Sequence, residues 1–365
     1  RRRFLTAVLM FARRMPFLAP GARVGVLLPA SSAGAIANMA VLMSGRAVVN
    51  LNYSAGPQAI QAAIESAGVR HILTARRVVK KLRERGIEPD QAFGGASLVY
   101  LEDIKDAISG AERLLTLLVA SVLPGRLLMS LFGRRSSPDS TAAILFSSGS
   151  EGRPKGIELS HRNLIANVQQ VAEVLNTEDE DVVLANLPLF HAFGLTVTTF
   201  MPLLEGMPMI CHPDPTDAVG TAKAVARHQA TLMCSTSTFL RFYTRNSRVH
   251  PLMLDSLRLV VAGAERLQPE VRDAFTQKFG KPILEGYGAT ETTPVASVNL
   301  PDRLDPSYWQ VQIGSRVGTV GLPLPGSSFR IVDPVTLRSL PPGEDGLILI
   351  GGVQVMKGYL NDPEK

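Results

Sequence analysis

Cysteine and aromatic residues are scarce in this sequence, and each shortage excludes a class of site. Cys211 and Cys234 are the only cysteines, and each lies in an apolar run without CxxC spacing. We therefore expect two buried free thiols in a reducing compartment, and neither a disulfide framework nor a metal–thiolate site. Aromatic residues make up 6% of the chain and are not interleaved with a basic stripe, so no nucleic-acid partner is expected.

Long hydrophobic runs are also absent. A membrane-spanning helix needs about 20 consecutive apolar residues, whereas the apolar-rich stretch at residues 114–123 ends at a Pro-Gly pair. Three arginines followed by the apolar residues 4–11 superficially resemble a signal peptide, but Arg13 and Arg14 interrupt the run and no small-residue cleavage site follows. The missing initiator methionine indicates a segment of a longer chain.

The residues that are present predict a globular protein with acidic partners. A hydrophobic fraction of 45% and a charged fraction of 19% are typical of a soluble globular protein and exclude global disorder. Because single cores stop growing at roughly 250–300 residues, a chain of 365 residues should form more than one lobe. The net charge of +6 favours nucleotides, an acidic carrier protein or anionic lipid headgroups as partners.

Short apolar strands alternate with helical stretches along most of the chain. Examples are strands at residues 24–28, 47–49, 182–186, 257–262 and 283–287, and helices at residues 32–42, 161–175, 217–227 and 269–279. This alternation predicts an α/β fold with two doubly wound lobes over residues 1–313. Beyond Gly314, short runs separated by glycine and proline predict antiparallel strands, so we expect a small, truncated β-rich subdomain over residues 314–365.

Residues 104–132 carry two amphipathic stretches separated by Pro124 and Gly125. Two interpretations remain open. The helices lie at a membrane surface with Arg126, Arg134 and Arg135 toward the headgroups, or they pack on the protein's own core.

Residues 146–156 read Phe-Ser-Ser-Gly-Ser-Glu-Gly-Arg-Pro-Lys-Gly, a composition typical of a phosphate-binding loop. Glycines let backbone N–H groups turn toward an anion, hydroxyls add donors, and a lysine adds positive charge. The spacing is not that of a Walker loop, because Lys155 is followed by Gly156. We expect the stretch to connect a strand at residues 141–145 with a helix capped by Ser160; the alternative is a surface loop without a ligand.

Three further clusters lie at or beside predicted strand ends, where open α/β sheets bind ligands. They are His191 in the turn of residues 187–194, the segment Gly263-Ala264-Glu265, and residues 285–291, which read Glu-Gly-Tyr-Gly-Ala-Thr-Glu.

The last cluster combines an aromatic ring, a hydroxyl and a carboxylate. Tyr287 is suited to stacking on a purine, Thr290 to contacting a phosphate, and Glu291 to holding a Mg²⁺ that bridges phosphate oxygens. Each residue also has a structural alternative: Tyr287 as a core residue, Thr290 as a helix cap and Glu291 as a solvated acid.

Taken in this order, these clusters resemble the adenylate-forming superfamily of acyl-CoA synthetases, luciferases and peptide-synthetase adenylation domains. The segments that carry the resemblance cover nearly the whole chain: residues 147–156, 188–194, 263–265, 286–291, 318–321 and 355–359.

Finer features are similar to one branch of that superfamily. In the common loop two Thr or Ser positions precede the second glycine, whereas here Ser150 is followed by Glu151. This form, together with residues 189–196, 235–239 and 260–265, resembles the acyl-acyl-carrier-protein synthetase part of bifunctional 2-acylglycerophosphoethanolamine acyltransferases. In that family a separate acyltransferase domain lies upstream.

The resemblance implies a ligase that uses ATP and Mg²⁺ to convert a fatty acid to acyl-AMP, and then passes the acyl group to a pantetheine thiol. The implied nucleotide-binding residues are Ser147, Ser148, Gly149, Ser150, Gly152, Lys155, Gly263, Ala264, Glu265, Glu285, Gly286, Tyr287, Gly288 and Thr290. The implied catalytic residues are Lys155, His191, Thr290 and Glu291. The implied metal ligands are Glu291 and Ser147, and the implied acyl-pocket residues are His191, Phe193, Gly194, Ser235 and Thr236.

Three functions follow as alternatives. The first is an acyl-acyl-carrier-protein synthetase that feeds lysophospholipid reacylation, in the cytoplasm at the inner face of a bacterial membrane. The second is a fatty acyl-CoA ligase. The third is a nucleotide-binding or membrane-docking module without catalysis, against which intact Lys155 and Glu291 argue. In the family, an Asp that grips the ribose and a mobile C-terminal domain with a catalytic Lys follow the position of Lys365, so weak nucleotide binding and low activity are expected of this chain.

Overall fold

A computed structural model describes residues 1–147, 154–362 and 364. Its contacts divide the chain into two units. The first unit comprises Arg1–His161, Pro188–Gly194 and Lys357–Lys365, and the second comprises Arg162–Leu187 and Leu195–Met356. The predicted boundary between residues 313 and 314 stays a prediction.

The helices cover every helical stretch that the sequence analysis used as an example. In chain order they are α1 (Arg2–Leu18), α2 (Ser32–Met43), α3 (Pro57–Ala67), α4 (Arg76–Glu84), α5 (Pro89–Ala92), α6 (Leu101–Asp106), α7 (Gly110–Val122), α8 (Gly125–Phe132), α9 (His161–Leu175), α10 (Met201–Leu204), α11 (Ala218–His228), α12 (Ser237–Arg245) and α13 (Pro269–Phe279). A π-helical turn spans Phe193–Phe200, and 3₁₀ turns span Pro251–Leu254 and Thr290–Thr292.

The strands are short. In chain order they are β1 (Arg23–Val26), β2 (Ala47–Asn50), β3 (His71–Thr74), β4 (Ser97–Tyr100), β5 (Thr141–Ser147), β6 (Lys155–Ser160), β7 (Val183–Ala185), β8 (Met209–Cys211), β9 (Leu232–Ser235), β10 (Leu259–Ala262), β11 (Ile283–Gly288), β12 (Val295–Val298), β13 (Arg303–Asp305), β14 (Gln310–Gln312), β15 (Leu322–Pro323), β16 (Ser327–Val332), β17 (Leu347–Gly352) and β18 (Gly358–Tyr359).

The sheet of the first unit has the strand order β18-β6-β5-β2-β1-β3-β4. Strands β1 to β5 run parallel, and β6 and β18 add antiparallel partners at one edge. Val49 of β2, Ile72 of β3 and Leu27, which directly follows β1, pack with Ile60 and Ile64 of α3 in one core cluster and are fully or almost fully buried. Because both faces of a parallel sheet are covered by helices, its strands read as continuous apolar runs.

The sheet of the second unit has the order β15-β12-β11-β10-β9-β7-β8. The five strands from β7 to β11 run parallel, and β12 and β15 are antiparallel. Met233 and Val260 of the central strands pack with Leu240 of α12 and with Val271 and Phe275 of α13. The predicted mixed α/β architecture, with one seven-stranded sheet in each unit, is confirmed.

Two separate hairpins complete the second unit. Strands β16 and β17 pair antiparallel from Ser327 opposite Gly352 to Val332 opposite Leu347, where the sequence predicts antiparallel strands. The strand predicted at residues 318–321 is wrong, because the chain turns at residues 317–318 and β15 begins only at Leu322. The β13–β14 hairpin was not predicted, because its strands are three residues long and mostly exposed.

The predicted connection from strand to helix at residues 146–156 is wrong. Residues 155–160 form strand β6, which pairs antiparallel with β5 from Ser147 opposite Lys155 to Thr141 opposite Ser160, and α9 begins only at His161. Ile157 and Leu159 are buried on either side of the half-buried Glu158. This alternation of apolar and polar residues covers only three positions, so the sequence did not indicate a strand. The predicted loop residues Ser148, Gly149, Ser150 and Gly152 lie outside the described residues.

Cys211 and Cys234 are present as thiols, as predicted, but only Cys234 has the predicted burial. Cys234 is buried in β9, and burial raises the pKa of its thiol to about 12. Cys211 is half-buried. Among the described residues, no helix combines the length and hydrophobicity needed to cross a membrane.

A buried carboxylate ties together the starts of three parallel strands in the second unit. Asp181, 1% exposed, accepts hydrogen bonds from Arg258 Nε (2.8 Å), from the Thr231 hydroxyl (2.6 Å) and from the Glu178 backbone N–H (2.8 Å). Burial opposes ionisation of Asp181, but these hydrogen bonds and the charge of Arg258 outweigh it, so its pKa lies below the ordinary value. The residues immediately precede β7, β9 and β10 and hold these strands in register.

We expect R258A to lower the free energy of unfolding by about 3 kcal/mol, because it leaves the Asp181 carboxylate buried without its cation. Arg272 contacts the exposed Asp273 at 2.9 Å, and R272A serves as the matched control with an expected loss below about 1 kcal/mol. Urea unfolding at neutral pH measures both variants. Equal losses would contradict a structural role for the buried pair.

Candidate nucleotide and acyl site

The carboxyl ends of the second unit's parallel strands bring several predicted residues into one row. Ala262, the last residue of β10, lies opposite Ser235 on β9 and opposite Glu285 on β11. The backbone N–H of Gly263 donates to the Ser235 carbonyl at 3.1 Å. This edge is where parallel α/β sheets bind ligands, and the structure brings the 235–236, 263–265 and 285–291 segments together there.

The segment Gly263-Ala264-Glu265 is held in an unusual backbone conformation. Ala264 has φ of +68°, a region that non-glycine residues adopt rarely and mostly at functional sites. The Glu265 carboxylate accepts hydrogen bonds from the backbone N–H of Thr238 and from its hydroxyl (3.1 Å). Burial opposes ionisation of Glu265, but the Thr238 and Thr236 donors outweigh it and lower its pKa. The carboxylate is therefore used to fix this segment to the start of α12.

The signature at residues 285–291 contains a position that only glycine can occupy. A Cβ on Gly288 would lie 1.7 Å from the Pro294 carbonyl oxygen, and the pairing of β11 with β12 shifts register between Tyr287 and Gly288. The bulge leaves the Tyr287 ring 38% exposed. Tyr287 is thus available for stacking, and the alternative of a core tyrosine is not what the structure shows.

The turn that carries Thr290 and Glu291 is anchored from behind. Thr292 is buried, accepts from the Ala289 N–H (3.0 Å) and donates to the Pro294 carbonyl (2.6 Å). The Thr293 hydroxyl donates to the Gln354 carbonyl at 2.6 Å, and the Met356 N–H donates to the Glu291 carbonyl at 2.8 Å. The half-buried side chains of Thr290 and Glu291 therefore stand on a fixed backbone.

The Glu285 side chain makes a structural hydrogen bond and also borders a pocket. Its Oε1 accepts from the Leu267 N–H at 3.2 Å, and its carbonyl accepts from the Asn299 backbone N–H (2.9 Å) and side-chain amide (3.0 Å). It also lines a pocket of about 500 Å³ between α13 and residues 315–319, which includes Arg272 and Arg316. Of the predicted nucleotide-binding residues that the structure describes, Glu285 alone lines this pocket.

In the first unit, Ser147 and Lys155 face each other across the β5–β6 pair at the base of the predicted phosphate loop. Ser147 lines a pocket of about 210 Å³ with Phe146 and Pro154. The Lys155 ammonium lies 5.8 Å from the centre of the Tyr359 ring, within range of a cation–π contact. Strand β18, which carries Tyr359, thereby supports both β6 and its lysine.

The aromatic-histidine turn belongs to the first unit as well. Phe190 packs edge-on against Tyr53 with ring centres 5.0 Å apart. His191 Nδ1 accepts from the Phe193 N–H at 3.4 Å, which leaves the ring proton on Nε2. The ring lies in a crowded setting but keeps an exposed edge, and desolvation lowers its pKa, so it is neutral at pH 7.

The predicted acyl-pocket residues are largely buried. Phe193 is 6% exposed and opens the π-helical turn, a distortion that recurs at functional sites. Ser235 is fully buried, and its hydroxyl has no hydrogen-bond partner among the described residues. Thr236 caps α12 by accepting from the Phe239 N–H at 3.3 Å.

Several supporting residues were missed in the sequence. Thr238, Thr293 and Asn299 hold the site segments through contacts made across long stretches of chain, and Thr292 holds its own turn through local hydrogen bonds. Thr238 lies in a segment used for the resemblance, so the sequence pointed to this segment. Its hydrogen bond to Glu265 spans 27 positions and is visible only in the fold.

Comparison with known proteins identifies the family. The chain matches the AMP-binding enzyme family over residues 3–360. It is 32% identical over 325 residues to 4-coumarate–CoA ligase 3 of Oryza sativa subsp. japonica, covering 88% of this chain and 55% of that protein. It is 27% identical over 364 residues to a long-chain-fatty-acid–CoA ligase of Escherichia coli, covering 95% of this chain and 63% of that protein.

Solved structures agree. Apo MatB from Rhodopseudomonas palustris superposes with a TM-score of 0.77 at 27% identity, over 99% of this chain and 66% of that one. A benzoate CoA ligase from Burkholderia xenovorans gives 0.80 at 21% identity, over 99% and 68%, which supports the fold alone.

The protein is therefore an α/β protein of the adenylate-forming class. It belongs to the AMP-binding enzyme family, and it spans 55% and 63% of the length of the two curated relatives named here.

Replacing Gly288 should show how tightly the signature is built. We expect G288A to lower the free energy of unfolding by about 1–3 kcal/mol and to speed amide exchange in β11 and β12, because the new Cβ displaces the Pro294 carbonyl. Gly110, with open space around it, supplies the control G110A, which should leave both unchanged. Wild-type exchange in G288A would contradict the close approach.

His191 should make stability depend on pH. Its folded pKa lies below the ordinary 6.5, so between these values the unfolded chain binds more protons and stability rises with pH. The contribution is complete above pH 6.5 and is lost as pH falls through the folded pKa, where protonation of Nδ1 also ends the Phe193 bond.

Urea midpoints between about pH 5 and pH 7 measure this slope. We expect H191Q to flatten it in part, since burial also lowers the pKa of His161, and H191Q/H161Q to flatten it further. An unchanged slope in H191Q would show that its ring does not titrate as described.

Proposed function

We propose that this chain is the nucleotide-binding part of an ATP-dependent acid–thiol ligase that activates a fatty acid. The observation that carries the proposal is the row at the carboxyl edge of the second unit's sheet, where Ala264 in its rare conformation and the fixed turn of Thr290 and Glu291 follow the neighbouring strands β10 and β11. Family membership supports the same chemistry.

The first step joins a carboxylate oxygen to the α-phosphorus of ATP and breaks the bond from that phosphorus to the oxygen of the leaving pyrophosphate. The carboxylate is already ionised at pH 7 and needs no base, so the protein supplies positioning and charge screening. In the second step the thiol sulfur bonds to the acyl carbon, AMP leaves with its oxygen, and the thiol proton passes to solvent.

In the second unit we assign adenine to Tyr287 and to residues 263–265, and the α-phosphate to Thr290. The exposed face of Tyr287 suits stacking on a purine. The roles of Gly286, Gly288 and Glu285 are to shape the backbone beside it, which their close contacts support.

Glu291 fits a Mg²⁺ ligand. Mg²⁺ prefers oxygen ligands and is usually held by one or two carboxylates, with substrate phosphates and water completing its shell. Among the described residues there is no cluster of three His, Cys, Asp or Glu. When bound, Mg²⁺ would neutralise phosphate charge. The metal role predicted for Ser147 stays a prediction.

In the first unit we assign a phosphate contact to Lys155, because its ammonium is positively charged. We place His191 beside the carboxylate of the fatty acid. A neutral imidazole with its proton on Nε2 can donate a hydrogen bond to a carboxylate without adding a fixed charge. In the second unit, the buried Ser235 and the cap residue Thr236 are proposed to wall the acyl site.

The acceptor thiol is the finer part of the proposal. We propose acyl-carrier protein, with the product feeding lysophospholipid reacylation through an acyltransferase, because the Ser-Glu form at residues 150–151 and the associated segments resemble that branch. Coenzyme A is the second candidate, favoured by the names of the relatives, which are CoA ligases.

The test offers Mg·ATP, palmitate, holo-acyl-carrier protein and coenzyme A to the chain in parallel, with calorimetry of Mg·ATP binding beside it. We expect weak ATP binding and slow thioester formation on the carrier protein, because the ribose-binding Asp and the C-terminal domain that the resemblance implies follow the position of Lys365. E291Q should lower thioester formation about 100-fold, while E270Q, an exposed glutamate on α13, should not change it.

Each remaining outcome has a meaning. Thioester on coenzyme A alone would select the second candidate. ATP binding without product would indicate a nucleotide-binding module. Absence of ATP binding, or an E291Q variant as active as E270Q, would overturn the proposed site.

A further inference from the structure

Helices α1, α7 and α8 of the first unit form a layer, here called the helical layer. Leu9, Ala120 and Leu128 are buried together at its centre, with Leu5 and Phe132 packed against them. The Arg14 guanidinium binds both oxygens of Glu112 at 2.7 Å, which fixes α1 to the first turn of α7. One face of α7 and α8 is thus satisfied by packing inside the protein.

The opposite face is apolar and open to solvent. The exposed large apolar side chains described in the first unit all belong to the helical layer: Phe17, Leu18, Leu114, Leu115, Leu118, Val122, Leu127, Met129 and Leu131. Soluble proteins scatter such residues singly, so a concentration of them marks an interaction surface.

Their spacing makes a continuous stripe. Leu114, Leu118 and Val122 recur every four residues on α7, and Leu127 and Leu131 repeat that spacing on α8. Residues four apart in a helix lie on one face. Each helix therefore carries an apolar stripe on its exposed face. The opposite faces pack on the protein's own core, as one interpretation of residues 104–132 predicts, and the membrane-surface interpretation stays a prediction.

The charge around the stripe is almost entirely positive. Residues 1–18 and 110–135 contain nine arginines and one glutamate, and that glutamate is paired with Arg14. The first acidic residue of the chain is Glu65. Nine positive charges less one negative exceed the +6 of the whole chain, so the helical layer accounts for all of its basic character.

Eight of these nine arginines form no ion pair among the described residues, although the Arg113 guanidinium donates a hydrogen bond to the Lys105 carbonyl at 2.9 Å. In the part of the chain that the structure describes, no ion pair is formed by the exposed Arg1, Arg2, Arg3, Arg13, Arg113, Arg126, Arg134 and Arg135. Burial and, next, the nearby charge of Arg134 lower the pKa of Arg46, so the positive charge of Arg134 acts on a second arginine beside the layer. An anionic partner would relieve this repulsion.

We propose that the helical layer docks on the surface of an anionic lipid bilayer. Leucine side chains would enter the acyl boundary while arginines reach the headgroups with their charged ends, the pattern by which amphipathic helices lie in a membrane interface. The proposal deepens the reacylation role, but it rests on this surface and not on the nucleotide chemistry.

A second copy of the chain fits this surface poorly, because a symmetric contact would set the arginines of one copy against those of the other. An acidic protein would match the charge but not the length of the leucine stripe. A bilayer meets both features, since it offers apolar depth beneath a negative surface.

Co-sedimentation with vesicles tests the proposal. The chain should bind vesicles of equal parts phosphatidylglycerol and phosphatidylcholine, bind phosphatidylcholine alone weakly, and be released in part by salt. Each arginine near the surface contributes about fivefold, so R126Q/R135Q should weaken binding to the anionic vesicles about 25-fold.

Substitutions of two exposed leucines test the apolar face separately from the arginines. L115E/L118E should weaken binding about 25-fold or more, because it removes two exposed leucines and adds two charges that the surface repels. The matched control is L304E/V311E, which places the same change on two exposed, facing residues of the β13–β14 hairpin and should bind as wild type. Circular dichroism and ATP binding check that each variant is folded.

Two results would overturn the proposal. One is equal vesicle binding by L115E/L118E and its control, which would mean that charge alone acts. The other is no vesicle binding by the wild-type chain, and in that case light scattering that shows a dimer sensitive to L115E/L118E would assign the surface to a second copy. Neither result bears on ATP binding, so the proposed ligase chemistry would stand or fall by itself.

Discussion

The register of the second unit's parallel strands is the constraint on which its site depends. Asp181 joins the starts of β7, β9 and β10 through Thr231 and Arg258. Because that end is fixed, the strands finish level, and Ser235, Ala262 and Glu285 lie side by side. A buried carboxylate at one edge of the sheet therefore sets the positions of polar residues at the other. It has no part in the chemistry, yet a one-residue slip would reverse the side-chain directions of the strand.

Backbone conformations that are costly elsewhere recur at this edge. Ala264 and Thr293 have positive φ, and Gly288 lies against a carbonyl where no side chain fits. Each requires support, which the Glu265–Thr238 bond and the Thr293–Gln354 bond provide. Strain that is held by hydrogen bonds from the surrounding structure is a feature of functional sites, because it keeps ligand-binding groups from relaxing into ordinary turns. The geometry thus supports a site independently of the sequence motif.

Much of the fold could be predicted from the sequence, because the strands of α/β proteins are apolar runs and their helices are amphipathic. Residues 161–175 and 269–279 match α9 and α13 to the residue. Strand β6 could not be predicted, because its apolar–polar alternation covers only residues 157–159, and its second partner, β18, lies about 200 positions away. The motif residues could be placed at strand ends, but the supports could not: Thr238 reaches Glu265 across 27 positions, and no local pattern encodes such a contact.

The helical layer shows why a sequence pattern left two interpretations open. The same leucine-rich periodicity serves a face packed on a neighbouring helix and a face exposed to a membrane, because both need apolar side chains at helical spacing. The pattern of charged residues distinguishes the two interpretations. Core packing requires no arginines, and Arg14 is the one arginine of the layer with a described ion pair. The unpaired positive charges cost the fold stability by mutual repulsion, and nothing in the packing of Leu9, Ala120 and Leu128 needs them. A surface that keeps such charges beside exposed leucines is therefore explained by what it binds and not by how the chain folds.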